Sequence, residues 1–110
     1  MFTQNIAIEK VTSFIDELLK SGLALEKAYL FGSYSRGIQR EESDIDLALV
    51  SDMFTGFGYD DRKLLSDINI KSEYIDIEPQ TFSSKIFSEG NPFIDEILRT
   101  GIEINFKNSI

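Results

Sequence analysis

A chain of 110 residues has room for one hydrophobic core, and 19 acidic against 11 basic side chains give it a net charge of −8. That balance argues against a broad nucleic-acid-binding surface, which needs a basic stripe, but suits a small anionic substrate carried by metal ions or a basic protein partner. Cysteine and histidine are both absent, which removes disulfides, thiol catalysis, the usual zinc ligands and the commonest general base. Any metal must be held by oxygen, favouring Mg²⁺ or Mn²⁺, and carboxylates must do the chemistry.

From about Gln4 to Ser21 the apolar positions Val11, Phe14, Ile15, Leu18 and Leu19 recur at helical spacing, and Gly22 is placed to end the helix in a left-handed cap. This helix is expected to cover a sheet and to have no catalytic role. It is too polar for a signal peptide, and no apolar run approaches the roughly 20 residues that span a bilayer. The chain is expected to be cytoplasmic, with no membrane partner.

Lys27 to Phe31 is a short strand running into Gly32-Ser33. The turn Ser33-Tyr34-Ser35-Arg36 can open a short helix whose free N–H groups would face an anion. Glycine lets the backbone approach a phosphate, and serine adds a hydroxyl donor. Gln39 to Ser43 reads as a solvated loop, with Glu41 and Glu42 as surface charges. Asp44 and Asp46 then open a second strand, Ile45 to Val50, as a near-continuous apolar run that suggests burial on both faces. Residues two apart on a strand share a face, so both carboxylates project away from Ile45, Leu47 and Leu49. Two such acids on an apolar strand need a cation to neutralise them. The simplest reading is a Mg²⁺ site beside a phosphate-binding turn, for handling a nucleoside triphosphate.

Ser51 to Tyr59, with Gly56 and Gly58, reads as a mobile loop or partner contact carrying exposed Met53, Phe54 and Phe57. Asp60 or Asp61 can cap a helix running to about Lys71, with Leu64, Leu65 and Ile68 inward. Arg62 and Lys63 fit a solvated helix face better than a triphosphate contact. Tyr74 to Glu78 reads as a third strand ended by Pro79, with Ile75 and Ile77 on one face and Tyr74, Asp76 and Glu78 on the other. Phe82 to Phe87 fits a short helix. Asn91-Pro92 starts another, with Phe93, Ile94, Ile97 and Leu98 inward and Gly101 its stop. Ile102 to Phe106 alternates like a last strand. Together these elements describe a small α/β (α+β) sandwich, with helices on a mixed sheet.

Gly32-Ser33, ten intervening residues, then Asp44-Ile45-Asp46 resembles the signature of the DNA polymerase β-like nucleotidyltransferase superfamily. The fuller strings Gly-Ser-Tyr-Ser-Arg-Gly and Ser43-Asp44-Ile45-Asp46-Leu47 are most similar to its minimal nucleotidyltransferases (MNT). Asp76, within Tyr-Ile-Asp-Ile-Glu, falls where the family keeps its third carboxylate. Pro-Phe-Ile-Asp-Glu-Ile-Leu-Arg-Thr-Gly is similar to its closing helix. The resemblance spans nearly the whole chain, residues 1–110, as one minimal nucleotidyltransferase domain.

That resemblance implies transfer of AMP from ATP to a hydroxyl, with two Mg²⁺ (or Mn²⁺) ions held by Asp44, Asp46 and Asp76. Asp46 would bridge the ions, and Asp76 would receive the acceptor's proton. Gly32 and Ser33 would hold the β- and γ-phosphates, and Arg36 would add a contact to the triphosphate. Arg36 could instead be a surface residue paired with Glu41 or Glu42. Larger superfamily members add an acceptor-binding domain, which is not expected here. MNT proteins typically pair with a HEPN protein as a toxin–antitoxin module, the antitoxin adenylylating a tyrosine of an RNase toxin. A catalytically weak antitoxin acting by contact, or a small-molecule nucleotidyltransferase completed by another subunit, are the alternatives.

Overall fold

In the computed structural model, which describes residues 2–40, 43–55 and 58–106, a four-stranded mixed sheet separates two helical layers of unequal size. In chain order the elements are α1 (Gln4–Lys20), β1 (Lys27–Phe31), β2 (Ile45–Val50), α2 (Gly58–Arg62), α3 (Ser66–Asn69), β3 (Ile77–Phe82), α4 (Ser84–Glu89), α5 (Pro92–Thr100) and β4 (Ile102–Glu103). The strand order across the sheet is β3-β2-β1-β4. β2 is central, antiparallel to β1 and parallel to β3. None of the described helices is long and apolar enough to cross a membrane.

Alternation along β2 divides the core. Ile45, Leu47 and Leu49 turn to one side with Leu30 and Ile77, under Val11, Phe14, Ile15 and Leu18 of α1. Ala48 and Val50 turn to the other, with Tyr29 and Phe82, and meet Phe87 of α4 and Ile94 and Ile97 of α5. Asp46 shares that second side by its spacing. The second cluster is smaller and leaves Asp46 half-buried.

Thr3 caps α1 by accepting from the Ile6 N–H at 3.1 Å. At its other end the Gly22 and Leu23 N–H groups return to the carbonyls of Leu19 and Leu18, with Gly22 at φ +103°. This is the left-handed cap that the glycine foretold. The Asn91 side chain accepts from the Ile94 N–H at 2.8 Å, and Pro92 opens α5.

Several sequence expectations are corrected. The third strand begins at Ile77, not Tyr74, and passes through Pro79 to Phe82. β3 lies at the sheet edge, where the missing N–H of proline does not break a ladder on both sides. Residues 72–76 form turns, so the predicted alternation fails: Tyr74 is buried and Ile75 is 67% exposed. The helix foreseen up to Lys71 is two short pieces; Leu65 is buried, but Leu64 is exposed. Phe54 packs in the core, held where Ser51 Oγ donates to the Ala24 carbonyl at 2.6 Å. Gly56 and Phe57 lie outside the described residues. On α5, Ile94 and Ile97 are buried as foreseen, while Phe93 and Leu98 stand about half exposed. Phe82 ends β3, and α4 follows it, capped by Ser83.

Candidate active site

At the end of β1, Gly32 adopts φ +73° and turns the chain out of the sheet. Residues 32–37 form a succession of turns rather than the short helix expected. The Arg36 N–H and the Ser35 hydroxyl both donate to the Gly32 carbonyl, at 3.3 and 3.0 Å. From beneath, Tyr34 plugs the core at 1% exposure, and the Gln4 side-chain amide donates to the Tyr34 carbonyl at 2.9 Å. An apolar anchor and a helix-borne amide thus hold the turn in place. Among the described residues, the N–H groups of Ser33, Tyr34 and Ser35 donate to no backbone carbonyl. A short run of free donors suits an anion.

Asp46 stands opposite Phe31, next to that turn. Its Oδ2 lies 2.3 Å from where a Cβ on Gly32 would be built. The carboxylate therefore lies directly against the glycine backbone, in a space that any side chain would fill. Burial pushes the Asp46 carboxyl above its ordinary range, and the neighbouring charges of Asp44 and Glu78 push it further. Asp44 is exposed, one residue before β2, and the turn leading to it is closed by Ser43 Oγ accepting from the Arg40 N–H at 2.8 Å. Asp76 sits in the last turn before β3, and its carbonyl accepts from the Ile45 N–H at 2.9 Å. That bond moors Asp76 beside the start of β2.

The donor set is chemically right for a hard divalent cation: acidic oxygens, one of them unfavourably ionised in its surroundings. Among the described residues, however, no three acidic side chains converge closely enough to hold a metal ion. The acids that act on Asp46 are Asp44 and Glu78, and Asp76 is not among them. Asp44 and Asp46, close enough for the charge of one to act on the other, are the two that would begin such a site.

A family model for the polymerase beta nucleotidyltransferase domain matches residues 13–109. The chain belongs to that family. No curated protein matches the sequence at a significant level. Among solved structures, a protein from Sulfolobus solfataricus described as a nucleotidyltransferase aligns with a TM-score of 0.66 at 20% identity, covering 91% of this chain and 80% of that one. A toxin–antitoxin structure with AMP-PNP aligns with a TM-score of 0.58 at 22% identity, covering 87% and 73%. A toxin–antitoxin MntA–HepT mutant with two aspartates changed to glutamate gives 0.56 at 20%, with the same coverage. At these identities the structural likenesses establish the fold.

Within this nucleotidyltransferase, the structure brings Gly32 and Asp46 together and places Asp44 and Asp76 at the same end of the sheet. Arg36 is exposed and, among the described residues, pairs with no carboxylate; its suggested partners Glu41 and Glu42 lie outside those residues. Sequence reasoning left Glu78 out of the site. The parallel register sets it directly beside Asp46, and Arg62 Nη2 binds its Oε1 at 2.8 Å. The available signal was its spacing of two from Asp76.

Proposed function

We propose that this chain is a Mg²⁺-dependent nucleotidyltransferase that moves AMP from ATP to a hydroxyl group. We further propose that the acceptor is a tyrosine of a partner RNase toxin of the HEPN family, the pair forming a toxin–antitoxin module. The observation that carries the catalytic reading is the Asp46 carboxyl, lodged against Gly32 and raised by burial and by the charges of Asp44 and Glu78. Support for the module comes from the fold shared with toxin–antitoxin structures, one of them with AMP-PNP.

In this reading the free donors of the Gly32–Ser33 turn bind the β- and γ-phosphates, and Arg36 neutralises part of their charge. Asp44 and Asp46 would hold Mg²⁺, Asp76 joining them as the ion draws the acids together, and the ion would stabilise the negative charge developing on the entering and leaving oxygens. The acceptor oxygen bonds to the α-phosphorus as the bond to the bridging oxygen breaks, releasing pyrophosphate. The hydroxyl proton passes to the carboxylate of Asp76, whose backbone is moored beside the start of β2.

A second reading is a catalytically weak antitoxin that neutralises its partner by contact. The lack of three converging acids among the described residues favours it. One experiment separates the two. The protein is incubated with labelled ATP and Mg²⁺, with and without the product of its neighbouring gene, beside Asp44→Ala/Asp46→Ala. Adenylylation adds AMP mass to the partner with wild type only. Contact neutralisation shows no added mass, with the double variant still silencing the partner.

A further inference from the structure

On the β3 edge of the sheet, beside the carboxylates, lies a groove of about 270 Å³ lined by residues that include Arg62, Asn69, Ile70, Ile75 and Glu78. Two of its three isoleucines are unusually bare, Ile70 at 70% and Ile75 at 67% exposed, while Ile77 is buried. Its walls are tied down. Asn69 Nδ2 donates to the carbonyls of Tyr74 and Ile77 at 3.0 and 3.2 Å, joining α3 to the turn before β3. Buried Asp61 accepts from Thr81 Oγ1 at 2.7 Å and from the Thr55 N–H at 2.7 Å, fixing α2 against β3. Arg62, the next residue, then reaches Glu78.

We propose that this groove docks the acceptor: a basic segment of a partner protein that offers its hydroxyl next to an apolar side chain. The inference rests on the transferase reading above and gives the acceptor a place. Position supports it first. The Gly32–Ser33 turn lies on the β1 side of β2, and the groove lies on the β3 side. In an in-line displacement the entering and leaving oxygens occupy opposite sides of the phosphorus. A triphosphate tail on the turn, with its α-phosphate over Asp44 and Asp46, leaves the β3 side for the incoming hydroxyl. Glu78 lines the groove and pairs in register with Asp46, so one residue of the groove wall stands a single strand away from the carboxylates.

Charge supports it second. Along the segment that builds the groove, Arg62 is bound to Glu78, Lys71 to Glu17, and Lys63 lies over the Tyr59 ring. Asp67, Glu73 and Asp76 make no ion pair among the described residues. With a chain charge of −8, the rim attracts a basic partner, and the isoleucines supply the desolvated contact that holds it.

The test uses ¹⁵N-labelled protein titrated with the capped tetrapeptide Lys-Leu-Tyr-Lys, and with the same peptide carrying glutamate for lysine. Amide shifts are expected at Asn69, Ile70 and Ile75 with the basic peptide and not with the acidic one. Ile75→Ser, at an exposed site, should weaken binding about tenfold or more, while the melting-temperature shift given by ATP and Mg²⁺ is unchanged. Leu98→Ser on α5 should leave peptide binding unchanged. Shifts confined to α5, no shifts at all, or unaltered binding by Ile75→Ser would overturn the inference. Groove binding without any AMP on peptide or partner would refute the transferase reading while leaving the docking surface intact. AMP on the tyrosine without groove shifts would do the reverse.

Discussion

The carboxylate of Asp46 stands where a side chain on Gly32 would have to go. Oδ2 is 2.3 Å from that Cβ position, and Gly32 has φ +73°. Glycine is thus required twice: for the left-handed turn at the end of β1, and for the close approach of the acid. The spacing between the two motifs brings the backbone proposed to bind phosphate and the carboxylate proposed to bind metal into contact.

Gly32→Ala is therefore expected to be damaging by two routes. The backbone conformation costs an L-residue about 1–2 kcal/mol, and the methyl must displace Asp46. Adding Asp46→Ala removes the second cost but not the first. Denaturant unfolding of both single variants and the double variant should show the double less destabilised than the sum of the singles. Strict additivity would mean that the two residues do not press on each other.

Asp46 should also be a site where the free fold gives up stability. Its carboxyl is raised by burial and then by Asp44 and Glu78. A carboxyl raised above its unfolded value favours unfolding while ionised, and that penalty fades as pH falls through the raised value. Asp46→Asn should thus melt above wild type at neutral pH, and the gap should close in acid. Adding Mg²⁺ should raise the melting temperature of wild type more than that of the variant. Transferase activity should fall by about 100-fold or more, some 2.7 kcal/mol in the barrier. An Asn variant no more stable than wild type at pH 7 would contradict the electrostatic account.

The two strands that present the site were legible because their apolar runs are nearly continuous, Asp46 apart, where the sheet buries both faces. Lys27–Phe31 and Ile45–Val50 have the bounds expected of them. The third strand was misread at Pro79, because proline marks an end only if the strand is not at an edge, and edge position is a property of the whole sheet. Tyr74 and Ile75 exchanged places with respect to the core because turns, unlike strands, impose no alternation. Phe54 read as exposed in a glycine-bearing segment, yet the chain folds back through Ser51 and buries it. Glu78 could be placed on the face of Asp76 by counting. Only the parallel register shows that its neighbour is Asp46.

Asp61, one of two acids that the sequence offered as a helix cap, is 1% exposed. Its carboxylate accepts from the Thr55 N–H and hydroxyl and from the Thr81 hydroxyl. Asp61→Ala removes the acceptor that Thr55 and Thr81 share and frees α2 from β3, at an expected cost of about 2–3 kcal/mol. Chemical denaturation measures it. A loss no larger than that of Asp60→Ala, an exposed neighbour, would show that the buried carboxylate is not what anchors α2.

Glu17 gives the acid limb of stability a specific origin. Lys71 Nζ donates to its Oε1 at 2.6 Å, tying α1 to the segment beyond α3. That bond, followed by one from the Tyr74 hydroxyl, holds the Glu17 carboxyl below the ordinary glutamate value of 4.5. Burial and the same bond to Glu17 push the Tyr74 hydroxyl up. Since the folded value is the lower one, the stabilisation is complete above 4.5 and disappears as pH falls through the depressed value. Glu17→Gln should melt below wild type at neutral pH and converge with it in acid, once the Glu17 carboxyl is protonated. Parallel melting curves across that range would mean that the contact between α1 and this segment depends on shape and not on the carboxylate's charge.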